Sequence, residues 1–324
     1  MRIAEPRPAG TKIIAPQARP VIIRPDANRM RKDVEELVRF LRNPEHLSEL
    51  NESSEYILQE FQKAGFVLGK NLFVDKFYDK YIGGDVEFKN IRVTLGPQNG
   101  ERFIIGAHYD VYGDQPGADD NATGVAGLLE IARMLVENKV QLKGPLDLVA
   151  YSLEEKPYGL DKNGARGSEF HVKRLKAQGI KVKGMLSLEM IGYFSDEAGS
   201  QDYPLKPLRL MYPNKGNFIA LVGYGNSLGL IRRTCDAIRR HTPMPVNGLW
   251  VPWKSLAPDV ARSDHDPFSL EDCPAAMVTD TANLRSTGKL KNNRYHTVND
   301  TIDTIKFEKM AQVVQGIFEL ASRL

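Results

Sequence analysis

Apolar residues recur along this chain with two periods, and the switching between them lays out its elements. From Lys32 the spacing Val34, Leu37, Val38, Leu41 is helical, and Tyr56, Ile57 and Phe61 mark a second helix over about 53–64, ended by Gly65. β-branched and aromatic runs predict strands at 72–78 and 88–95, and the turn residues Pro97, Gln98, Asn99 and Gly100 predict a hairpin into an apolar strand at Phe103, Ile104 and Ile105. Val125, Leu128, Leu129, Ala132 and Leu135 then give a helix with one buried face, followed by an apolar strand at 146–151. Strand, helix and strand in that order predict a βαβ unit with parallel strands. A short helix at 169–176, strands at 184–191 and 218–222, a helix through Leu228, Ile231, Cys235 and Ile238, an extended piece at 249–253 and a strand at 275–279 continue the alternation. Phe307, Met310, Val314, Ile317 and Ala321 close it with a helix. The class is α/β, with a sheet that starts antiparallel and becomes parallel.

Proline breaks this pattern at one end. Residues 1–27 carry Pro6, Pro8, Pro16, Pro20 and Pro25, which defeat both helix and central strand, so an extended or disordered arm is expected ahead of a single domain over 28–324. With 324 residues and 42% hydrophobic content, one large core is affordable. Forty-four basic against 41 acidic residues leave a net charge of +3, too balanced to imply a nucleic-acid or membrane-surface partner. No apolar run approaches the ~18 residues of a spanning helix, and no signal peptide is visible. As written the chain reads as cytoplasmic, or as secreted or periplasmic if a leader has been trimmed. Cys235 and Cys273 are far apart and form neither a disulfide framework nor a CxxC knuckle; both are expected as free thiols.

The chemistry gathers just after strands. The stretch 102–135 runs from an apolar strand through a loop rich in Gly, Pro, Asp and Asn into a helix, and an open α/β sheet binds ligands at such carboxyl ends. His108 and Asp120 lie in that loop, Glu154 and Glu155 end the next strand, Glu189 ends another, and His296 follows the last polar loop. Singly, each reads as well as a turn residue, a cap or a solvated charge. Together, carboxylates crowded at one sheet edge repel one another unless a cation neutralises them. A mixed N and O donor set without thiolate suits zinc first, with cobalt or manganese as competitors. Two ions balance Asp120, Glu155 and Glu189 with one bound hydroxide, leaving Glu154 free for proton transfer.

The segments GAHYD, PGADDNATG, SLEE with a later ARGSEF, LEMIG, RSDHDPF and YHTVNDT occur in the order seen in metallopeptidase family M28, the di-zinc aminopeptidases, and the chain resembles that family from Val34 onward. The resemblance implies a three-layer α/β/α fold around a mixed, mostly parallel sheet. It implies two Zn2+ ions bridged by Asp120, one completed by Glu155 and His296, the other by His108 and Glu189. Glu154 would be the general base to a metal-bound hydroxide, Asp110 the carboxylate that fixes the His108 tautomer, and the Asp120 to Asn121 peptide would be cis. The family's better-known members carry Asp where this chain has Glu189, so the longer arm is expected to shift or loosen the second ion. Tyr295 resembles a tyrosine that polarises the scissile carbonyl, with a packed aromatic as the plain alternative. Arg262, Asp264 and His265 are expected in supporting roles. The implied activity is a zinc-dependent exopeptidase, an aminopeptidase acting on peptides with a free N-terminus. The rivals are a single-zinc glutaminyl cyclase, which typically has Trp in place of the tyrosine before the histidine, a carboxypeptidase, and a non-catalytic binding module on the same fold.

Overall fold

The computed structural model describes residues 23–81, 84–155, 166–203, 207–285 and 294–324. The elements run α1 (Ala27–Leu37), α2 (Leu47–Lys63), β1 (Leu72–Tyr81), β2 (Gly84–Leu95), β3 (Arg102–His108), α3 (Gly124–Glu137), β4 (Leu146–Tyr151), α4 (Gly167–Ala177), β5 (Val182–Glu189), α5 (Leu208–Met211), β6 (Ile219–Tyr224), α6 (Leu228–His241), β7 (Val246–Val251), α7 (His265–Leu270), β8 (Ala275–Thr279) and α8 (Phe307–Ala321). Asp26 caps α1, accepting hydrogen bonds from the amides of Asn28 and Arg29, so this helix starts earlier than apolar spacing alone predicts. The second helix likewise begins at Leu47, because its first turn is amphipathic only through Leu50. No described helix is long and apolar enough to cross a membrane.

Eight strands form one mixed sheet in the order β1-β2-β4-β3-β5-β8-β6-β7. Here the expected hairpin at Pro97–Gly100 is corrected: β2 pairs antiparallel with β4, and β3 lies on the far side of β4, parallel to it. The turn residues do reverse the chain, but β3 is buried along its whole length and needs a strand on each side, which β4 and β5 supply. The βαβ expectation holds, since β3, α3 and β4 form a parallel crossover. Alternation assigns the two faces. Phe103, Ile105 and Ala107 of β3 join the main core with α1, α3, α6 and α8, while Ile104 joins Val172 and Leu175 of α4 and Phe268 of α7 on the opposite face. Helices therefore cover both sides, and the carboxyl ends of β3, β4, β5 and β8 open at one edge.

Most of the proline-rich arm falls outside the described residues. Its described end is tied to α3, with the Ile23 amide donating to Asn138 Oδ1 at 2.9 Å and the Asp26 amide donating to Glu130 Oε1 at 2.8 Å.

Candidate metal centre

Each candidate side chain is placed by a local device. His108 is the last residue of β3 and is fully buried. The loop after it is braced from below by Arg42, a buried cation that donates to the carbonyls of Leu37, Tyr109 and Gly117, the last two at 2.9 and 2.8 Å. Burial lowers the Arg42 pKa to about 10, against the pull of Asp300, Asp110 and Asp120. Gly117 is left-handed at φ +57°, and a β-carbon there would meet the Asp120 carbonyl at 2.4 Å. The Asp120 to Asn121 peptide is cis, as the resemblance implies. Asn121 stitches this turn to β5: its Nδ2 donates to the Leu188 carbonyl at 2.8 Å, and its Oδ1 accepts from the amides of Met190 and Gly124 at 3.0 and 3.1 Å. Gly124 lets α3 begin against that strand, since a β-carbon would sit 2.5 Å from the Leu188 carbonyl oxygen. Asp120 is thereby fixed beside Glu189.

Two triads result. His108, Asp120 and Glu189 form one, and Asp120, Glu155 and His296 the other, with ligand atoms in each within 4.8 Å of one another. His108 Nε2 lies 3.1 Å from Glu189 Oε2 and 3.5 Å from Asp120 Oδ1. His296 Nε2 lies 2.7 Å from Glu155 Oε1 and 3.2 Å from Asp120 Oδ2. Glu189 also accepts a hydrogen bond from Ser263 Oγ at 2.8 Å, so its longer arm is anchored and reaches the cluster.

The electrostatics mark an excess of buried negative charge. Burial pushes Glu155 up to about 8, with Asp120 adding to the rise, and pushes Glu189 up to about 7 against the pull of His108. Burial works to lower both histidines, yet Glu189, Asp110 and Glu154 hold His108 well above its ordinary value, and Asp120 and Glu155 lift His296 to about 10. Asp120 alone stays below the ordinary carboxylate value, because His296 and His108 outweigh its burial. Both of its oxygens are buried, and each faces a histidine nitrogen, His108 Nε2 at 3.5 Å and His296 Nε2 at 3.2 Å. An ionised carboxylate in that condition fits a cation bridging site, and nitrogen and oxygen donors without sulfur fit zinc.

The neighbouring residues take varied places. Asp110 differs from the expectation: its carboxylate accepts from the amides of Glu154 and Glu155 at 3.2 and 2.8 Å, while its carbonyl lies 3.2 Å from His108 Nδ1 and its carboxylate only within 3.7 Å. It fixes the turn that presents both glutamates, and the backbone oxygen faces the imidazole. Glu154 belongs to neither triad and pairs with Arg166 at 3.2 Å. Asp264 is buried, and burial raises it to about 7. His265 is structural, with Nε2 2.6 Å from the Val260 carbonyl oxygen. Tyr295 stacks on His296, and its hydroxyl accepts from Arg262 at 3.0 Å.

Three contributors escape sequence reasoning. Asp300, in YHTVNDT, accepts from the amides of Asp119 and Asp120 at 2.9 Å each, clamping the bridging turn from 180 residues away. Its acidic side chain just after the motif's histidine was the available signal. Arg166 lies within ARGSEF, but nothing local pairs it with Glu154. Tyr112 stacks on the other face of His296, a contact between distant loops.

Beside the metal cluster opens a cleft with a volume of about 100 Å3, running from Glu189, Arg262 and Tyr295 to apolar walls that include Phe218, Val222, Leu249 and Met277. Tyr203 and Tyr212 also line it, with ring centroids 5.7 Å apart.

The model of peptidase family M28 matches residues 90–216. An uncharacterised Escherichia coli protein, YfbL, is 38% identical over 303 residues, which is 89% of this chain and 87% of that one. Leucine aminopeptidase 1 of Leptosphaeria maculans is 26% identical over 232 residues, 69% of this chain; the chain spans about half that relative's length, 52%. Among solved structures, Porphyromonas gingivalis glutaminyl cyclase shares the fold at a TM-score of 0.67 with 19% identity, covering 91% of this chain and 96% of that one.

Proposed function

The chain belongs to peptidase family M28, and from that premise we propose that it is a zinc-dependent aminopeptidase holding two ions, which removes N-terminal residues with large apolar side chains. One observation carries the reading: two ligand triads share Asp120, a buried and charged carboxylate, beside a cleft with apolar walls that Glu189 also lines. His108 and Glu189 would hold one ion, Glu155 and His296 the other, and Asp120 both. Zinc, when bound, supplies a Lewis acid that polarises a carbonyl and makes water acidic near neutral pH.

The chain's own residues do the rest. Glu154, outside both triads, receives the proton of the attacking water and returns it to the leaving amine. Arg166 keeps its carboxylate turned to one place through their ion pair. Tyr295 stays a neutral phenol, since burial and the charges of Asp120 and Glu155 raise its pKa, and so has a proton to offer a carbonyl oxygen. Arg262 holds that phenol from its oxygen side. A free N-terminal amine sits beside the acidic cluster, and an acylated terminus cannot replace it there. The apolar walls of the cleft accept the side chain.

A glutaminyl cyclase shares the fold, and the second triad, complete around the shared Asp120, supports the two-zinc reading over a one-zinc one. The test combines metal analysis of zinc-reconstituted protein with hydrolysis of aminoacyl substrates, their N-acetylated forms, and glutaminyl peptides. About two zinc ions per chain and cleavage of free Leu or Phe termini, with acetylated substrates untouched, are expected. Cyclisation without hydrolysis, or equal rates on blocked substrates, would overturn the proposal.

A further inference from the structure

We propose that Tyr112 is a positioning residue that, with Tyr295, clamps the His296 imidazole between two aromatic faces and so pre-organises the metal site to which His296 belongs. The inference rests on the metal-centre reading given above. Tyr112 lies over one face of His296 with ring centroids 4.3 Å apart and planes 8° from parallel; Tyr295 covers the other at 3.8 Å and 21°. The edge between them carries Nε2, which faces Glu155 and Asp120.

His296 needs such support. Its backbone sits in the left-handed region, at φ +57°, its side chain is 23% exposed, and it comes from a loop and not from a strand end like His108. The outer torsion of a histidine is broad and roughly two-fold, so an imidazole gripped on one face only is free to swing its nitrogen away from the acids. Tyr112 supplies the second grip from a braced loop: the Val111 amide donates to the Arg42 carbonyl at 2.8 Å, and Asn43 Nδ2 donates to the Gly113 carbonyl at 2.7 Å. The residues on both sides of Tyr112 are thus pinned to the α1–α2 connection. What acts is the flat face of the ring and not its hydroxyl.

The test compares the full chain with Y112F, Y112L and Y112A, each stripped of metal and titrated with zinc in a calorimeter, with H296A marking which binding step needs this histidine. Y112F should bind within about twofold of the parent. Y112L and Y112A should weaken the step that H296A abolishes by about 10- to 100-fold, the usual loss for residues that orient a ligand, and leave the other step unchanged. Leucine keeps apolar bulk without a flat face, so it separates stacking from simple packing. A second arm needs no metal: in metal-free protein the His296 ring protons, assigned by their loss in H296A, should resonate upfield under two ring currents and move downfield in Y112L. Wild-type zinc affinity in Y112L and Y112A overturns the inference, as does unchanged binding with a raised KM, which would make Tyr112 a substrate contact. An upfield His296 that shifts in Y112L, in a parent that takes up no zinc, would keep the clamp and sink the metal reading instead.

Discussion

Replacing Glu154 by Gln tests the assignment of the two adjacent glutamates, because the structure gives them different surroundings. Glu155 Oε1 is 2.7 Å from His296 Nε2 and belongs to a ligand triad; Glu154 belongs to neither triad and is held by Arg166 at 3.2 Å. Both amides hang from the same carboxylate, Asp110, so neither substitution need disturb the turn itself. Glu154→Gln preserves volume but removes the charge paired with Arg166 and, with it, proton transfer, a role worth about 10² to 10⁴ in rate, or about 2.7 to 5.4 kcal/mol of barrier. The expected outcome is a fall in kcat of that size with KM, zinc content and thermal midpoint near those of the parent. Glu155→Gln should instead lose zinc and activity together, and with the zinc the stability that native-state binding confers, about 2.7 kcal/mol when free zinc stands at a hundred times its dissociation constant. The assay is steady-state hydrolysis of a leucyl substrate alongside elemental analysis of each variant. Zinc lost from the Glu154 variant and kept in the Glu155 variant would refute the assignment, and full turnover in both would place the catalytic centre elsewhere.

Further outcomes follow from other contacts. Glu189→Asp retracts the carboxylate by about 1.5 Å, one C–C bond, and gives up the hydrogen bond from Ser263, so zinc affinity at the His108 site should fall and not rise; tighter binding in the same titration would show that the longer arm is merely a misfit. Asp147 is buried, and although burial opposes it, His171, Arg92 and Arg102 hold its pKa below the ordinary value. Its stabilisation is therefore full above about pH 4, the unfolded value, and disappears as pH falls through the lower folded one. Asp147→Asn should cost about 3–5 kcal/mol at neutral pH by leaving buried arginines short of a partner, with the gap to the parent closing below about pH 4 in denaturant melts. A gap independent of pH would show that the carboxylate's charge is not what matters. Narrowing the cleft with Ala220→Phe should raise KM for Leu and Phe substrates by at least about tenfold while sparing Ala, and equal effects on all three would place the side-chain pocket elsewhere.

Much of this arrangement was legible in the chain because its cues are local. A strand followed by a Gly-rich loop and a helix announces its own crossover, and acids at successive strand ends converge in any parallel sheet. The strand at 275–279 and the helix from Phe307 to Ala321 were readable to the residue for the same reason, since period and length left no rival. What escaped was relational. Pro97–Gly100 is a sound turn, but strand order depends on which partner buries Phe103–Ile105 on both edges, and β4 enters that competition 40 residues later. Asp110 was correctly placed beside His108, yet its hydrogen bonds go to the Glu154 turn, which spacing cannot reveal. Tyr112, Asp300 and Arg166 act across gaps of more than 10 residues, on side chains whose neighbours only the folded chain supplies.

The same contacts explain why the fold can carry so many acids at one edge. Asp110 is answered by two backbone amides, Asp300 by two more, Glu154 by Arg166, and Glu189 in part by Ser263. Asp264 is also buried, but burial raises it to about 7, so near neutral pH a proton can answer it. Asp120 differs from all of these: it remains ionised, is buried, and its two oxygens face histidine nitrogens at 3.5 and 3.2 Å. In the metal-free chain its charge is met by the two histidines, with Arg42 adding its pull, and the acids force those histidines to hold protons that neutral ligands would not carry. Zinc binding must expel those protons. Uptake of zinc by the metal-free protein in weakly buffered solution should therefore acidify it, and calorimetric enthalpies measured in buffers of different ionisation heat should differ in proportion. An enthalpy independent of buffer would mean that no proton leaves, and that the histidines are not the groups displaced by the ion.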